Sequence, residues 1–206
     1  MLRYRILDRY TPEEDPLLRQ ACAFHYEALS YRSFVTQFGA GFLHTLYTLI
    51  LKTETGFLSL AEEKGKLVGF ALYLYDASRL MPLVLRYAYL FLPRMLPVLL
   101  KNPALIRKTL ETLLYGSKKP FISPSEMLVI AVDPEYRSRG IGEQLLKEGD
   151  LRLGQRGIRD YVVTVHAEMG RSNRFYEKAG MILTPQSGFL FLGTRWNIYL
   201  KKLDPQ

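Results

Sequence analysis

The chain has 206 residues and a formal net charge of +8, and 48% of its residues are hydrophobic against 23% charged. This composition excludes a disordered chain and allows a sizeable core, so we expect one domain over residues 1–206. Cys22 is the only cysteine, and His25, His44 and His166 are scattered, which excludes an internal disulfide and leads us to expect no bound metal.

The N-terminal segment is predicted to form a strand and two helices. The first residues, Met1 to Asp8, alternate like a strand and lack the apolar run of a signal peptide, so we expect a first strand from Tyr4 to Asp8 and a cytoplasmic protein. The run Thr11-Pro12-Glu13-Glu14 supplies a cap, a proline and acids for a first helical turn, and the helix should continue to about Ala28. Apolar side chains at helical spacing predict a second helix from Phe34 to Leu51.

A hairpin follows these helices. Phe57 to Glu62 and Lys66 to Tyr75 are apolar enough for two buried strands. Lys64-Gly65 between them is typical of a tight turn. We therefore expect two adjacent antiparallel strands.

Residues from about 80 to 120 interrupt the pattern with a Leu-rich helical insertion. Three prolines punctuate it: Pro93, Pro97 and Pro103. Because prolines divide helices and are tolerated in first turns, we expect two or three short helices. A transmembrane span needs about 20 residues with few charges. Arg86 and Arg94 intervene here, so a span is not expected.

Most of the excess positive charge lies in this insertion. Eight basic residues oppose the single acid Glu111: Arg79, Arg86, Arg94, Lys101, Arg107, Lys108, Lys118 and Lys119. The segment is aliphatic rather than rich in polar base-reading side chains, so we do not expect nucleic-acid binding. Attraction to an anionic ligand or, through residues 80–115, to a membrane surface fits better. Packing against the domain, packing in a homodimer and a substrate lid remain open.

Strands and helices alternate after the insertion. The predicted strands are Glu126 to Val132, Ile158 to His166, Phe189 to Leu192 and Arg195 to Lys201. The predicted helices are Gly140 to Gln155 and Ser172 to Ala179. This order of elements indicates an α/β sheet with helices on both faces.

The segment from Leu128 to Gly142 runs from a strand through a short loop directly into a helix. N–H groups at a helix start lack intrahelical partners and, with the helix dipole, form an anion site. Gly140 and Gly142 leave the backbone accessible. Arg137 and Arg139 add positive charge, so the loop is predicted to bind a phosphate group.

Two common nucleotide motifs are excluded, because no G-x-x-x-x-G-K-[ST] string occurs and Leu145 stands where a dinucleotide fingerprint needs its third glycine. The surviving pattern is R-x-x-G-x-G after a strand that ends in V-D-P. With Tyr-Glu-Lys-x-Gly within residues 173–181, it resembles the GNAT superfamily, the Gcn5-related N-acetyltransferases. The two motifs span about residues 126–181. The segment 80–120 is longer than the connection of a typical member.

The resemblance implies a GNAT fold, a mixed and partly splayed sheet flanked by helices. Acetyl-CoA, or another acyl-CoA, would lie between the strands before and after the Gly140 helix. By analogy, the backbone of three strand residues would bind the pantetheine arm: Ile130, Ala131 and Val132. The backbone of six loop residues would surround the pyrophosphate: Arg137, Ser138, Arg139, Gly140, Ile141 and Gly142.

The resemblance also implies catalytic roles. Tyr176 would protonate the departing thiolate; the alternative is that it only packs against the sheet. Glu126, or a water, would accept the proton of the amine. Glu126 is six residues before Val132, so alternation predicts that Glu126, Leu128, Ile130 and Val132 share one strand face. An exposed acid at the strand start is the alternative.

Three further residues have less specific assignments. Members of the family often carry an asparagine where Met169 stands, so Asn173 is a candidate for that cofactor contact or an ordinary polar helix residue. His166 is a candidate to assist the amine or a structural histidine. Cys22 is expected in the core.

The expected reaction is acetyl transfer from acetyl-CoA to a primary amine of a small molecule, an amino sugar being the first candidate, by direct attack. The expected walls of the acceptor site are the loop Ser30-Tyr31-Arg32, the insertion and the hairpin near Trp196. Three alternatives remain open: a longer acyl donor, a non-catalytic acyl-CoA sensor and a membrane-surface module.

Overall fold

A computed structural model describes residues 1–29, 33–113 and 120–203 of the chain. Its strands are β1 (Leu2–Leu7), β2 (Gly56–Glu63), β3 (Lys66–Leu74), β4 (Glu126–Val132), β5 (Asp160–His166), β6 (Ile182–Leu183), β7 (Phe189–Phe191) and β8 (Thr194–Lys202). Its α-helices are α1 (Asp15–Leu29), α2 (Ala40–Lys52), α3 (Leu80–Arg86), α4 (Ala88–Lys101), α5 (Ala104–Leu113), α6 (Ile141–Gln155) and α7 (Gly170–Lys178).

The strands form one mixed sheet in the order β1-β2-β3-β4-β5-β8-β6, and β7 also pairs with β8. The neighbours are antiparallel except for β4 and β5, which run parallel. Within the described residues, these two strands pair only at Glu126–Val162 and Met127–Val163. Beyond Met127 they separate, which confirms the expected splayed sheet.

Helices cover both faces of this sheet, as the sequence predicts. Successive side chains of a strand point to opposite faces. Phe70 and Leu72 on β3 pack in the same buried cluster as α1 and α2. Ala71 and Tyr73 pack on the other side, together with α6. The splay between β4 and β5 therefore opens between two helical layers.

A β-bulge in β4 corrects the predicted strand face. Leu72 pairs with Val129 and Tyr73 pairs with Met127, so Leu128 is an extra residue in the ladder. The bulge reverses the alternation. Glu126 pairs with Leu74, on the α1–α2 face, whereas Ile130 and Val132 pack near α6. The prediction that Glu126, Leu128, Ile130 and Val132 share one face is therefore wrong.

The predicted second helix is two elements. A 3-10 turn spans Val35–Phe38, and α2 starts only after Gly39, whose φ of 84° cannot continue a helix. The first predicted helix likewise begins with a 3-10 turn, at Pro12–Glu14, before α1.

Within the described residues of the insertion, three helices agree with the prediction, but two of the prolines do not divide them. Pro93 and Pro97 lie inside α4. Both are exposed and four residues apart, on the side of the helix that faces away from the core. Water can therefore reach the carbonyl groups that each proline leaves without an intrahelical donor.

Candidate active site

A cleft of about 930 Å³ opens where β4 and β5 separate. Its lining includes nine of the residues predicted to bind the cofactor: Ile130, Ala131, Val132, Arg137, Ser138, Gly140, Ile141, Gly142 and Tyr176. Arg139, Asn173 and Glu126 are not part of this lining. The structure thus brings the strand, the loop and the second motif together around one space.

The turn between β4 and α6 presents backbone N–H groups to the cleft. Ser138 and Gly140 have φ angles of 63° and 76°, a left-handed conformation that turns successive amides toward one side. The first helical hydrogen bond runs from the Gln144 N–H to the Gly140 carbonyl oxygen. In the part of the chain that the structure describes, the N–H groups from Ser138 to Glu143 have no acceptor, an arrangement that is typical of anion sites.

The two arginine side chains brace this turn. Arg137 Nε donates to the Val132 carbonyl oxygen over 3.0 Å. Arg139 Nη2 donates to the Glu135 carbonyl oxygen over 2.9 Å, and its guanidinium lies 4.9 Å from the centroid of the Tyr136 ring. The side chain of Arg137 also lines the cleft. Both arginines shape the turn and place positive charge beside it.

The two glycines serve different purposes. A Cβ at Gly140 would meet no atom within 4 Å, so the positive φ is what favours glycine there. A Cβ at Gly142 would lie 3.1 Å from the Phe175 ring. Gly142 therefore lets the start of α6 approach α7, a packing reason that the expectation of anion access did not include.

Tyr176 lies on α7 between the cleft and the core. Its ring packs against Phe175 and Tyr199, and its hydroxyl has no hydrogen-bond partner among the described residues. Burial raises the pKa of Tyr176 well above its ordinary value of 10. The phenol therefore stays protonated at neutral pH and keeps a proton to donate.

The side-chain amide of Asn173 is hydrogen-bonded to other groups of the protein. Its Nδ2 donates to three carbonyl oxygens, those of His166, Ala167 and Met169. Its Oδ1 accepts from Asn197 Nδ2 and from the Tyr199 hydroxyl. These contacts use the hydrogen-bonding capacity of the amide. Asn173 thus fixes the start of α7 against β5 and β8, and its geometry does not support a cofactor contact.

Glu126 is buried at the closed end of the splay. Only 5% of the residue is exposed, and its Oε1 accepts a hydrogen bond from the Thr164 hydroxyl over 3.1 Å. The alternative of an exposed acid at the strand start is therefore wrong. Because Glu126 lies where β4 and β5 still pair, it lines neither the cleft nor the cavity described next.

A smaller cavity, of about 440 Å³, adjoins the cleft. It is lined by Ser33, Phe34, Gln37, Lys108, His166, Glu168, Met169, Leu192, Thr194 and Trp196. Lys108 of the insertion and Trp196 of the last hairpin are walls that the sequence predicted. The predicted wall Ser30-Tyr31-Arg32 lies outside the described residues.

Glu168 and Met169 line both spaces. The Glu168 N–H donates to His166 Nδ1 over 3.4 Å, and the His166 ring meets Trp196 edge to face at 5.6 Å. Sequence reasoning missed Glu168. Its only signal was its place just after β5, in a loop at the same end of the sheet as the Arg137 turn.

Residues 114–180, which include both motifs, match the model of the acetyltransferase (GNAT) domain. This match lies over the segment that holds both motifs and confirms the predicted resemblance to the GNAT superfamily. No curated protein matches the chain.

The GNAT fold is also found in solved structures similar to this chain. A putative GNAT-family acetyltransferase from Desulfovibrio desulfuricans is 16% identical, with a TM-score of 0.58, over 99% of this chain and 100% of that one. PaiA N-acetyltransferase from Thermoplasma acidophilum, solved with coenzyme A, is 15% identical, with a TM-score of 0.58, over 98% and 99%. An N-acetyltransferase from Staphylococcus aureus Mu50 is 15% identical, with a TM-score of 0.56, over 99% of each chain. At these identities the likeness shows the fold.

Proposed function

We propose that this GNAT protein transfers an acetyl group from acetyl-CoA to a primary amine of a small molecule by direct attack. The observation that carries the proposal is the row of unpaired N–H groups from Ser138 to Glu143, at the mouth of the cleft between β4 and β5. Coenzyme A has a diphosphate for that turn. PaiA N-acetyltransferase from Thermoplasma acidophilum, with the same fold, was solved with coenzyme A.

The pantetheine arm would extend along β4 from this turn. Residues Ile130 to Val132 pair with β3 on one edge, while their other edge faces the opening toward β5. A ligand with amide groups can bind such an edge as an added strand. In this arrangement the thioester would lie near Tyr176, farther into the cleft.

In the reaction, the amine nitrogen attacks the thioester carbonyl carbon, a C–N bond forms and the C–S bond breaks. Tyr176 gives its hydroxyl proton to the departing thiolate. An alkyl ammonium with a pKa of about 10.4 costs roughly 4–5 kcal/mol to deprotonate at neutral pH. A group that accepts this proton therefore contributes to the rate.

Three candidates can accept the proton: Glu126, a water and Glu168. Glu126 and a water follow from the family resemblance, and the geometry adds Glu168. Glu168 lines both the cleft and the smaller cavity, whereas Glu126 is bonded to Thr164 at the closed end of the splay. An amine in the smaller cavity would meet Glu168 on its path to the thioester.

The smaller cavity is our candidate acceptor site. Its volume of about 440 Å³ suits a small molecule. The ring of Trp196 and the polar groups of Gln37 and Thr194 suit a ring with hydroxyl groups, such as an amino sugar. The proposal thus names a small amine as the acceptor, with an amino sugar as the first compound to test.

Turnover is the direct test. Release of free coenzyme A thiol should be measured for acetyl-CoA across a panel of amines that includes amino sugars. Amine-dependent release is expected for at least one amine. Tight acetyl-CoA binding without release across the panel would indicate the sensor alternative. Faster release from a longer acyl-CoA, with the same amine, would indicate a longer acyl donor.

A further inference from the structure

Helix α4 of the insertion is apolar on two sides. One side, with Phe91, Met95 and Val98, packs into the core. The opposite side carries Tyr89, Leu92, Leu96 and Leu100, which recur at helical spacing and are 54% to 72% exposed. We call these four residues the apolar stripe. A surface helix of a globular domain normally presents polar residues on that side.

Exposed basic side chains lie on α3 and on α4, the helix that carries the apolar stripe. Arg86, Arg94 and Lys101 are exposed on α3 and α4. From Arg79 to Leu113 the only acid is Glu111, which already accepts a hydrogen bond from Arg107 on α5. The exposed surface of the insertion is therefore both apolar and strongly cationic.

The length and bend of these helices do not suit a simple membrane span. In the described parts of the chain, no single helix has both the length and the hydropathy for crossing a bilayer. The segments Ala77–Arg86 and Ala88–Lys101 meet that requirement only as a pair, and they are bent by 79°. An apolar stripe with cations beside it is typical of a helix that lies in the bilayer interface.

A second copy of the chain fits this surface poorly. In a two-fold symmetric dimer the same patch meets itself. The basic residues of α3 and α4 would then come close to the same residues of the second copy and oppose association. Anionic lipid headgroups would instead pair with those cations while the leucines enter the acyl region.

We propose that α3 and α4 dock the protein on an anionic lipid surface through the apolar stripe and the basic residues beside it. This proposal does not depend on the acetyl-transfer reaction. Arginine and lysine would contact lipid phosphates. Leu92 and Leu96, in the middle of the stripe, would lie below the headgroups.

The test is co-sedimentation of the full chain with vesicles. Phosphatidylcholine vesicles are compared with vesicles that also contain phosphatidylglycerol. The protein should bind the anionic vesicles at least about 25-fold more tightly, as expected for two or more basic residues at about fivefold each. Binding should weaken with added salt. No binding to anionic vesicles, or equal binding to both kinds, overturns the proposal.

Matched variants test the surface itself. Leu92→Asp with Leu96→Asp should lose vesicle binding, while Leu151→Asp, at a 49% exposed leucine on α6, should keep it. Lys101→Gln should weaken binding about fivefold, and Lys64→Gln, in the β2–β3 turn, should not. Circular dichroism establishes that each variant is folded. A folded stripe variant that binds like the unmodified protein overturns the proposal.

Sedimentation velocity without lipid tests whether a second copy of the chain binds the apolar stripe instead. The chain should be a monomer whether or not it carries the stripe substitutions. A dimer that the stripe substitutions dissociate would show that the stripe binds a second copy, and the lipid proposal would be wrong.

Discussion

The cleft between β4 and β5 and the smaller cavity beside Trp196 are built from different kinds of groups. The cleft contributes backbone groups, one edge of β4 and the N–H groups from Ser138 to Glu143, beside side chains such as Tyr176. The smaller cavity presents side chains from segments far apart in the sequence, such as Gln37, Lys108 and Trp196. Among the residues that the structure describes, only Glu168 and Met169 line both.

This difference suits two kinds of ligand: a cofactor that stays the same among related proteins and an acceptor that varies. Backbone groups depend on the local turn and tolerate many side chains, so one cofactor can be bound by very different sequences. Side chains that converge from loops and an insertion can change without changing the sheet. The family match therefore supports the proposed acyl-CoA donor, while the acceptor has to be found by experiment.

Tyr176→Phe should have the largest effect, because Tyr176 lines the cleft and would supply the proton for the departing thiolate. Without the phenolic proton, kcat should fall on the order of 10³-fold. The dissociation constant for acetyl-CoA should stay the same, since the turn is untouched. Steady-state kinetics and calorimetry give the two values, with Tyr26→Phe, an exposed tyrosine on α1, as the control. A kcat equal to that of the control would remove Tyr176 from the reaction.

Glu168→Gln should reduce kcat/KM by about 10²-fold at neutral pH, because the amine loses a group that accepts its proton. The loss should shrink as pH rises and more amine is already neutral. Glu126→Gln is the comparison. If that variant loses the activity and Glu168→Gln does not, the base lies at the closed end of the splay. If both variants keep the activity of the unmodified protein, a water is favoured as the group that accepts the proton.

The buried His25 on α1 should make the stability of the fold depend on pH. The Nδ1 of His25 lies 2.6 Å from the Tyr47 hydroxyl. Burial lowers the pKa of His25 to about 4. The unfolded chain binds a proton below about pH 6.5 and the folded chain only near pH 4, so stability is lost as pH falls between these values. The loss from pH 7 to pH 5 is about 2 kcal/mol.

Urea unfolding at the two pH values measures this loss. The variant His25→Gln should show a correspondingly smaller difference between pH 7 and pH 5. An unchanged difference in a folded variant would mean that another group carries the acid sensitivity.

Trp196→Ala should have the smallest effect and should touch the smaller cavity alone. Loss of an aromatic wall should raise KM for the acceptor about tenfold, which corresponds to about 1.4 kcal/mol. KM for acetyl-CoA should not change, because Trp196 does not line the cleft. A change in acetyl-CoA affinity instead would mean that the two spaces are not separate sites.

Strand β4, the turn after it and helix α6 could be predicted from sequence because their signals are local. Alternating apolar residues give β4, and the glycines with their preceding arginines mark the turn before α6. The bulge at Leu128 could not be predicted, since it exists only in the pairing with β3. It moved Glu126 to the other face of the sheet.

The side-chain assignments also depended on contacts that a single sequence does not contain. Asn173 has the right residue type for a cofactor contact, but Asn197 and Tyr199 engage its amide. Gly142 looked like access for an anion, and its constraint is the ring of Phe175. Glu168 belongs to no motif in the sequence, because only the folded chain brings together the cleft and the smaller cavity that it lines.

The measurement that tests the central claim most directly is an NMR titration of the backbone amides with acetyl-CoA. The N–H groups from Ser138 to Glu143 should shift downfield and saturate together, as they donate hydrogen bonds to the diphosphate, while amides of β1 should stay in place. Acetyl-CoA that binds without moving these amides would contradict the account.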